Sequence, residues 1–242
     1  MPGTYIAPGF SIKAAPLRAI PDPLQPQLTK PTNGPEGWRW HDQRRRRACI
    51  LAAARKVMTR ENFEDVQLRA IARHSGVSVQ TIYNLVGNRA ELLEASAADW
   101  VAAIAAEARA QSARHDLNAC FTLLGMFWNA ALARPAYVES AVRTSVLEAA
   151  PLARPFQQAG MAEFQTDLRR LAALGMVRDG VDVASLARQL TLVAYTTICG
   201  WVMERYDLAG YRADLIHGPG MMLAGALQGE ELRRLERGMA MA

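Results

Sequence analysis

Gln80, Thr81, Tyr83 and Asn84 follow Ser78 and Val79 inside the segment SGVSVQTIYNLVGNRAELL, residues 75 to 93. These four side chains offer amide and hydroxyl groups, so their chemistry is reversible hydrogen bonding. Gln80 carries the donor and acceptor pair that grips adenine bidentately in a DNA major groove, and Val79 can pack on a thymine methyl. If a helix begins at Ser78, its free N–H groups and positive dipole end point outward there, bringing Ser78, Val79 and Gln80 nearest to bases and phosphates. The competing reading of Tyr83 is a core aromatic with its hydroxyl in water.

Covalent chemistry finds no support elsewhere. No nucleophile stands with a base, so no catalytic residue is assigned and the chain is not expected to be an enzyme. Cys49, Cys120 and Cys199 are odd in number, far apart and set in apolar helical patterns, as buried reduced thiols of a cytoplasmic protein would be. His41, His74, His115 and His217 never cluster, and no metal site or cofactor is expected.

The elements around the opening segment decide how it is displayed. Ile50, Leu51, Ala54, Val57 and Met58 form the stripe of an amphipathic first helix, with Arg44 to Arg47, Arg55 and Lys56 assigned to its start and other faces. Val66, Leu68, Ile71 and Ala72 begin a second, short helix ending near His74; Val79, Ile82, Tyr83 and Val86 mark a third, stopped at Gly87-Asn88. Ala72, Gly76 and Ile82 stand at relative positions 0, +4 and +10. In a helix-turn-helix these are the small residue where two helices cross, the glycine at the turn and the apolar plug between them. A helical hairpin can meet that triplet by accident, but here it falls in the most basic part of the chain.

Charge is unevenly spread. Residues 39–89 hold 11 Lys/Arg against 4 Asp/Glu, hence +7, while residues 90–242 hold 14 against 17, hence −3. A basic head on a near-neutral body suits binding to a polyanion. Ahead of it, residues 1–38 contain 8 of the 12 prolines and read as an extended or disordered tail. No basic region followed by an apolar run opens the sequence, so no secretory signal is expected. The uncharged runs 117–133 and 189–203 contain amide, hydroxyl or glycine positions and are read as core helices, not membrane spans.

Residues 47–93 resemble the DNA-binding domain of TetR-family transcriptional regulators. The resemblance runs through Ile50-Leu51-Ala52-Ala53-Ala54, Phe63, Ile71-Ala72, Gly76-Val77-Ser78, Thr81-Ile82-Tyr83 and Arg89 with Leu92-Leu93; it departs at Val86, usually phenylalanine, and Arg89, usually lysine. It implies phosphate contacts by Thr81 and Tyr83. Gln67, opening the second helix, and Arg89, opening the fourth, would hold the DNA backbone on either side, and Arg45 in the Arg44 to Arg47 run would reach phosphates or the minor groove.

The expected architecture is all-α: the tail 1–38, a helix-turn-helix domain 39–88, a helical effector-binding and dimerisation domain 89–229 and a C-terminal tail 230–242. Helix boundaries fall near Asp116, Pro135, Pro151, Gly175 to Asp182, Gly210 and Gly229. Leu190 to Val202 is apolar nearly all round, as a helix facing both a core and a partner would be. The resemblance places a homodimer seam on the last two long helices. Asn118, Thr122, Gly125 and Asn129 form an uncharged polar line beside an apolar face that includes Phe121 and Trp128; with Trp100, Tyr137, Tyr195 and Trp201 as walls, these could line a small-molecule cavity. Ordinary core packing is the rival. The sequence therefore reads as a cytoplasmic, effector-responsive regulator, a repressor on a palindromic double-stranded DNA operator. The alternatives are a sequence-indifferent DNA-coating protein and an all-α enzyme.

Overall fold

The computed structural model of the chain describes residues 22, 25, 26, 35–60, 66–111, 117–147 and 153–239. The proline-rich tail therefore lies outside the described residues except at Asp22, Gln25, Pro26 and from Pro35 onward, and Phe63 lies outside them too. The described chain forms helices α1 Pro35–Met58, α2 Leu68–Ser75, α3 Val79–Leu85, α4 Arg89–Gln111, α5 Leu117–Ala133, α6 Pro135–Leu147, α7 Ala153–Ala173, α8 Val183–Val202, α9 Leu208–Ala226 and α10 Gly229–Met239. Two compact units emerge. The first takes in the described residues of Pro21–Ala103 and Arg134–Pro155, the second those of Ile104–Ala133 and Phe156–Ala242.

In the first unit, α1 packs against α2, α3 and α6. Its stripe, Ile50, Leu51, Ala54, Val57 and Met58, is buried as periodicity predicts. Arg55, assigned to a face other than the stripe, is buried too, at 0% exposure, along with Ala52 and Ala53, whereas Lys56 is exposed. A stripe argument presumes one buried face, and here the stretch 50–55 of α1 is buried on every side. The guanidinium is accommodated because its Nη1 donates to the Ser96 carbonyl at 2.6 Å and to Asp99 Oδ2 at 3.1 Å, both on α4. A buried charge without such acceptors would carry a desolvation cost of several kcal/mol, on the order of 3–5.

The turn between α2 and α3 depends on one glycine. Gly76 adopts φ 70°, ψ 26°, the left-handed region where a Cβ is penalised, and its N–H closes α2 on the Ala72 carbonyl. Ala72 is 7% exposed and Ile82 0%, so the small residue and the plug occupy the interior of the corner.

The second unit is organised by α8 and α9, which pack along each other, with α5 and α10 against α9. Asp182 caps α8, accepting from the Ala184 and Ser185 N–H groups at 2.9 and 3.2 Å. Asp207 caps α9, accepting from Gly210 N at 2.8 Å, so this helix starts slightly ahead of the glycine expected to mark it. Residues 229–239, expected as a tail, form α10 and bury Leu235. Met176-Val177, the one strand-like dipeptide, makes an isolated antiparallel bridge between Val177 and Leu227. Arg178 N donates to Ala226 O and Gln228 N to Met176 O, each at 2.9 Å, so the bridge clasps the α7–α8 connection to the end of α9. Among the described residues no helix is long and apolar enough to cross a membrane.

Candidate nucleic-acid interface

Helix α3 starts where the Gly76 turn delivers the chain. Ser78, extended at φ −76°, ψ 155°, caps it: its Oγ accepts from Thr81 N at 3.1 Å and shares a 2.8 Å hydrogen bond with Thr81 Oγ1. Ile82 points into the core and fixes the helix's rotation. Ser78, Gln80, Tyr83 and Asn84 are consequently exposed, and Val79 and Thr81 partly so. Tyr83 is 50% exposed, which decides against a core role for its ring. Gln80 Nε2 donates to Asn84 Oδ1 at 3.0 Å, placing the two carboxamides side by side one turn apart.

The flanking candidates come from α1, α4 and the start of α2. Gln67 is the N-terminal cap position of α2, exposed, and its side chain makes no capping bond. Arg45 is exposed on α1 with Arg44, Arg46 and Arg47; Arg46 pairs with Asp42 at 2.7 Å. Arg69 and Arg73 on α2 are exposed too. Arg89 is half-buried, and its Nε donates to the Val66 carbonyl at 2.9 Å, tying the start of α4 to the approach to α2. Sequence reasoning missed that bond. It also missed the reciprocal cap at the start of α4, where Glu91 N donates to Asn88 Oδ1 at 3.0 Å and Asn88 N to Glu91 Oε2 at 2.7 Å. The signal was present as an Asn with Glu three residues later.

The candidate ligand-lining residues divide between the units. Trp100 and Tyr137, both buried in the first, meet edge to face with centroids 5.1 Å apart. Burial raises the Tyr137 phenol to about 12, and its hydroxyl has no hydrogen-bond partner among the described residues. In the second unit Phe121, Gly125 and Asn129 are buried on α5, with Thr122 and Trp128 half-buried; the Asn118 side chain lies outside the described residues. Tyr195 of α8 meets Phe156 at 5.9 Å, and Phe156 meets Phe127 at 4.5 Å. Trp201 stacks on Tyr211 at 5.6 Å, and Trp128 leans on the same ring at 5.3 Å. Among the described residues no group of His, Cys, Asp and Glu is placed to hold a metal ion.

A left-handed glycine turn leading from one short helix into another with a polar exposed face is the geometry of a helix-turn-helix. Residues 50–96 match the family described as bacterial regulatory proteins, tetR family. Solved structures show the same fold over most of the chain. A putative TetR-family transcriptional regulator from Rhodococcus sp. is similar with a TM-score of 0.55 and 21% identity, covering 73% of this chain and 97% of that one. SmeT, the repressor of the Stenotrophomonas maltophilia multidrug efflux pump SmeDEF, gives 0.57 and 19% over 76% and 92%. FadR of Thermus thermophilus, a TetR-family repressor in complex with lauroyl-CoA, gives 0.58 and 18% over 76% and 96%. No curated protein matches the sequence.

Proposed function

We propose that the protein is a cytoplasmic, homodimeric transcriptional regulator that represses from a palindromic operator and is released by a small molecule. The observation that carries this reading is the exposed face of α3, where Gln80, Tyr83 and Asn84 project beside the capped Ser78. Gln80 and Val79 read bases; Thr81, Tyr83, Gln67, Arg45 and Arg89 hold phosphates and fix register.

One head covers too little DNA to be selective, and a dimer sets two heads about 34–36 Å apart, one turn of duplex. Support for a seam on α8 and α9 comes from residues left uncovered there: Leu192 on α8, Met203 at its C-terminal cap, and Met221, 65% exposed, on α9. Gly225 adds a position with open space around it. SmeT has been solved with triclosan and the Thermus FadR with lauroyl-CoA. By analogy the effector here is a largely apolar molecule, met by residues among Trp100, Phe121, Thr122, Gly125, Trp128, Asn129, Tyr137 and Tyr195. The effector can shift the heads by no more than its differential affinity for the two states.

Selection of bound duplexes from a random pool tests the proposal. A palindrome with half-sites one helical turn apart is the expected product. Retention without sequence enrichment would instead identify a DNA-coating protein, and absence of retention would end the DNA reading altogether.

A further inference from the structure

Arg55 donates to a third acceptor from an unexpected part of the chain. Its Nη2 reaches the Gln25 carbonyl at 3.3 Å. Gln25 is held in place by a turn, its N–H donating to the Asp22 carbonyl at 3.1 Å. Asp22 is in turn gripped by Arg134, the residue between α5 and α6, through two parallel bonds: Nε to Oδ1 at 3.3 Å and Nη2 to Oδ2 at 3.0 Å. The two-pronged geometry is the form in which an arginine–carboxylate pair is most directional.

We propose that Asp22 and Gln25 act as an intramolecular strap, anchored on Arg134, that adds an acceptor to the buried Arg55 guanidinium and so holds α1 to α4 and α6. The chemistry requires something of this kind. Arg55 is fully buried, and its Nη1 is taken by Ser96 and Asp99. A guanidinium has five N–H donors in a rigid fork, so it needs acceptors on more than one side. The strap supplies a backbone carbonyl there without bringing a second negative charge into the interior. Asp22 and Gln25, inside a stretch that composition reads as an extended or disordered tail, thereby become part of the packing of the helix-turn-helix head.

Hydrogen exchange on the full chain tests this, with peptides covering 48–58 and 92–100 as the readout. Asp22→Asn and Arg134→Gln should each accelerate exchange there by about two- to fivefold, the range set by a partly exposed ion pair. The double substitution should add nothing to either single one. The exchanged pair Asp22→Arg with Arg134→Asp should recover most of the protection, which a nonspecific loss of packing would not. Removal of residues 1–26 should accelerate exchange further, about tenfold, because a buried guanidinium then loses one of its acceptors. Arg109→Gln, which breaks the Arg109–Glu163 pair in the other unit, should leave these peptides unchanged. Unaltered exchange in Asp22→Asn and in the truncated chain would overturn the strap, as would acceleration spread evenly over α7 to α10. No DNA enters the measurement, so its outcome and that of the duplex selection are independent.

Discussion

Gln80 and Asn84 meet through their carboxamides at 3.0 Å, so the residue assigned to base reading is oriented by a neighbour one turn further along α3. Side chains ordered before contact lose less entropy on binding. Gln80→Ala should therefore relax preference at one base pair per half-site by about 1–3 kcal/mol while leaving binding to other positions intact. Asn84→Ala should blur the same position less. Competition among duplexes differing at single positions measures both, and equal loss at every position would contradict the assignment of Gln80.

Arg89, proposed above to hold a phosphate, also has a structural bond: its Nε on the Val66 carbonyl braces α4 against the approach to α2. Arg89→Ala should weaken all duplexes alike and lower the salt slope by about 1. Arg89→Lys keeps the charge and loses the brace, so it should retain the slope but lower the melting temperature. Binding titrations at several salt concentrations, paired with thermal melts, separate the two contributions.

Tyr137 buries a hydroxyl that has no hydrogen-bond partner among the described residues. Such a group costs about 1–3 kcal/mol relative to a satisfied one, so Tyr137→Phe should stabilise the fold by about 1 kcal/mol. The pH dependence has a definite sign. Burial first, and Asp99 second, raise the phenol to about 12 while Arg55 opposes them; an acid whose folded value lies above its unfolded value of 10 contributes stability that is present below pH 10 and lost as pH climbs toward 12. Tyr137→Phe should remove part of that alkaline loss in denaturant melts at pH 9 to 12. Retention of the full alkaline loss would show that the phenol is not held in the folded state as described.

Gly200 lies in α8 beneath the Tyr206 ring, whose hydroxyl donates to the Thr197 carbonyl. A Cβ at position 200 would overlap the hydroxyl and adjoining ring atoms. Gly200→Ala should cost about 1–3 kcal/mol through overpacking. Tyr206→Ala in the same chain should return much of that cost, a non-additivity that a double-mutant cycle by denaturant melting would reveal.

The head was legible because its constraints are local. A left-handed φ at Gly76, a small residue at 72 and a plug at 82 are demanded by the corner itself, and each sequence position can satisfy them in few ways. Most body helices were legible through their proline and acid boundaries, as at Pro135 and Asp182. Arg55 was not, because helical periodicity sorts residues by polarity and cannot tell an arginine facing water from one facing the carbonyl of a helix 41 residues away. Asp22 and Arg134, 112 positions apart, were hidden for the same reason. Leu235, the buried anchor of α10, sits among so many charges that the segment read as solvent-facing.

The clasp between Val177 and Leu227 turns α8 and α9 into the contents of a drawn purse: the chain enters and leaves the pair through one knotted mouth, tied also by the Arg178 side chain on the Leu227 carbonyl. Neither helix can slide lengthwise without first undoing that mouth. Slow amide exchange along both should accordingly vanish in a single step when it opens, not helix by helix.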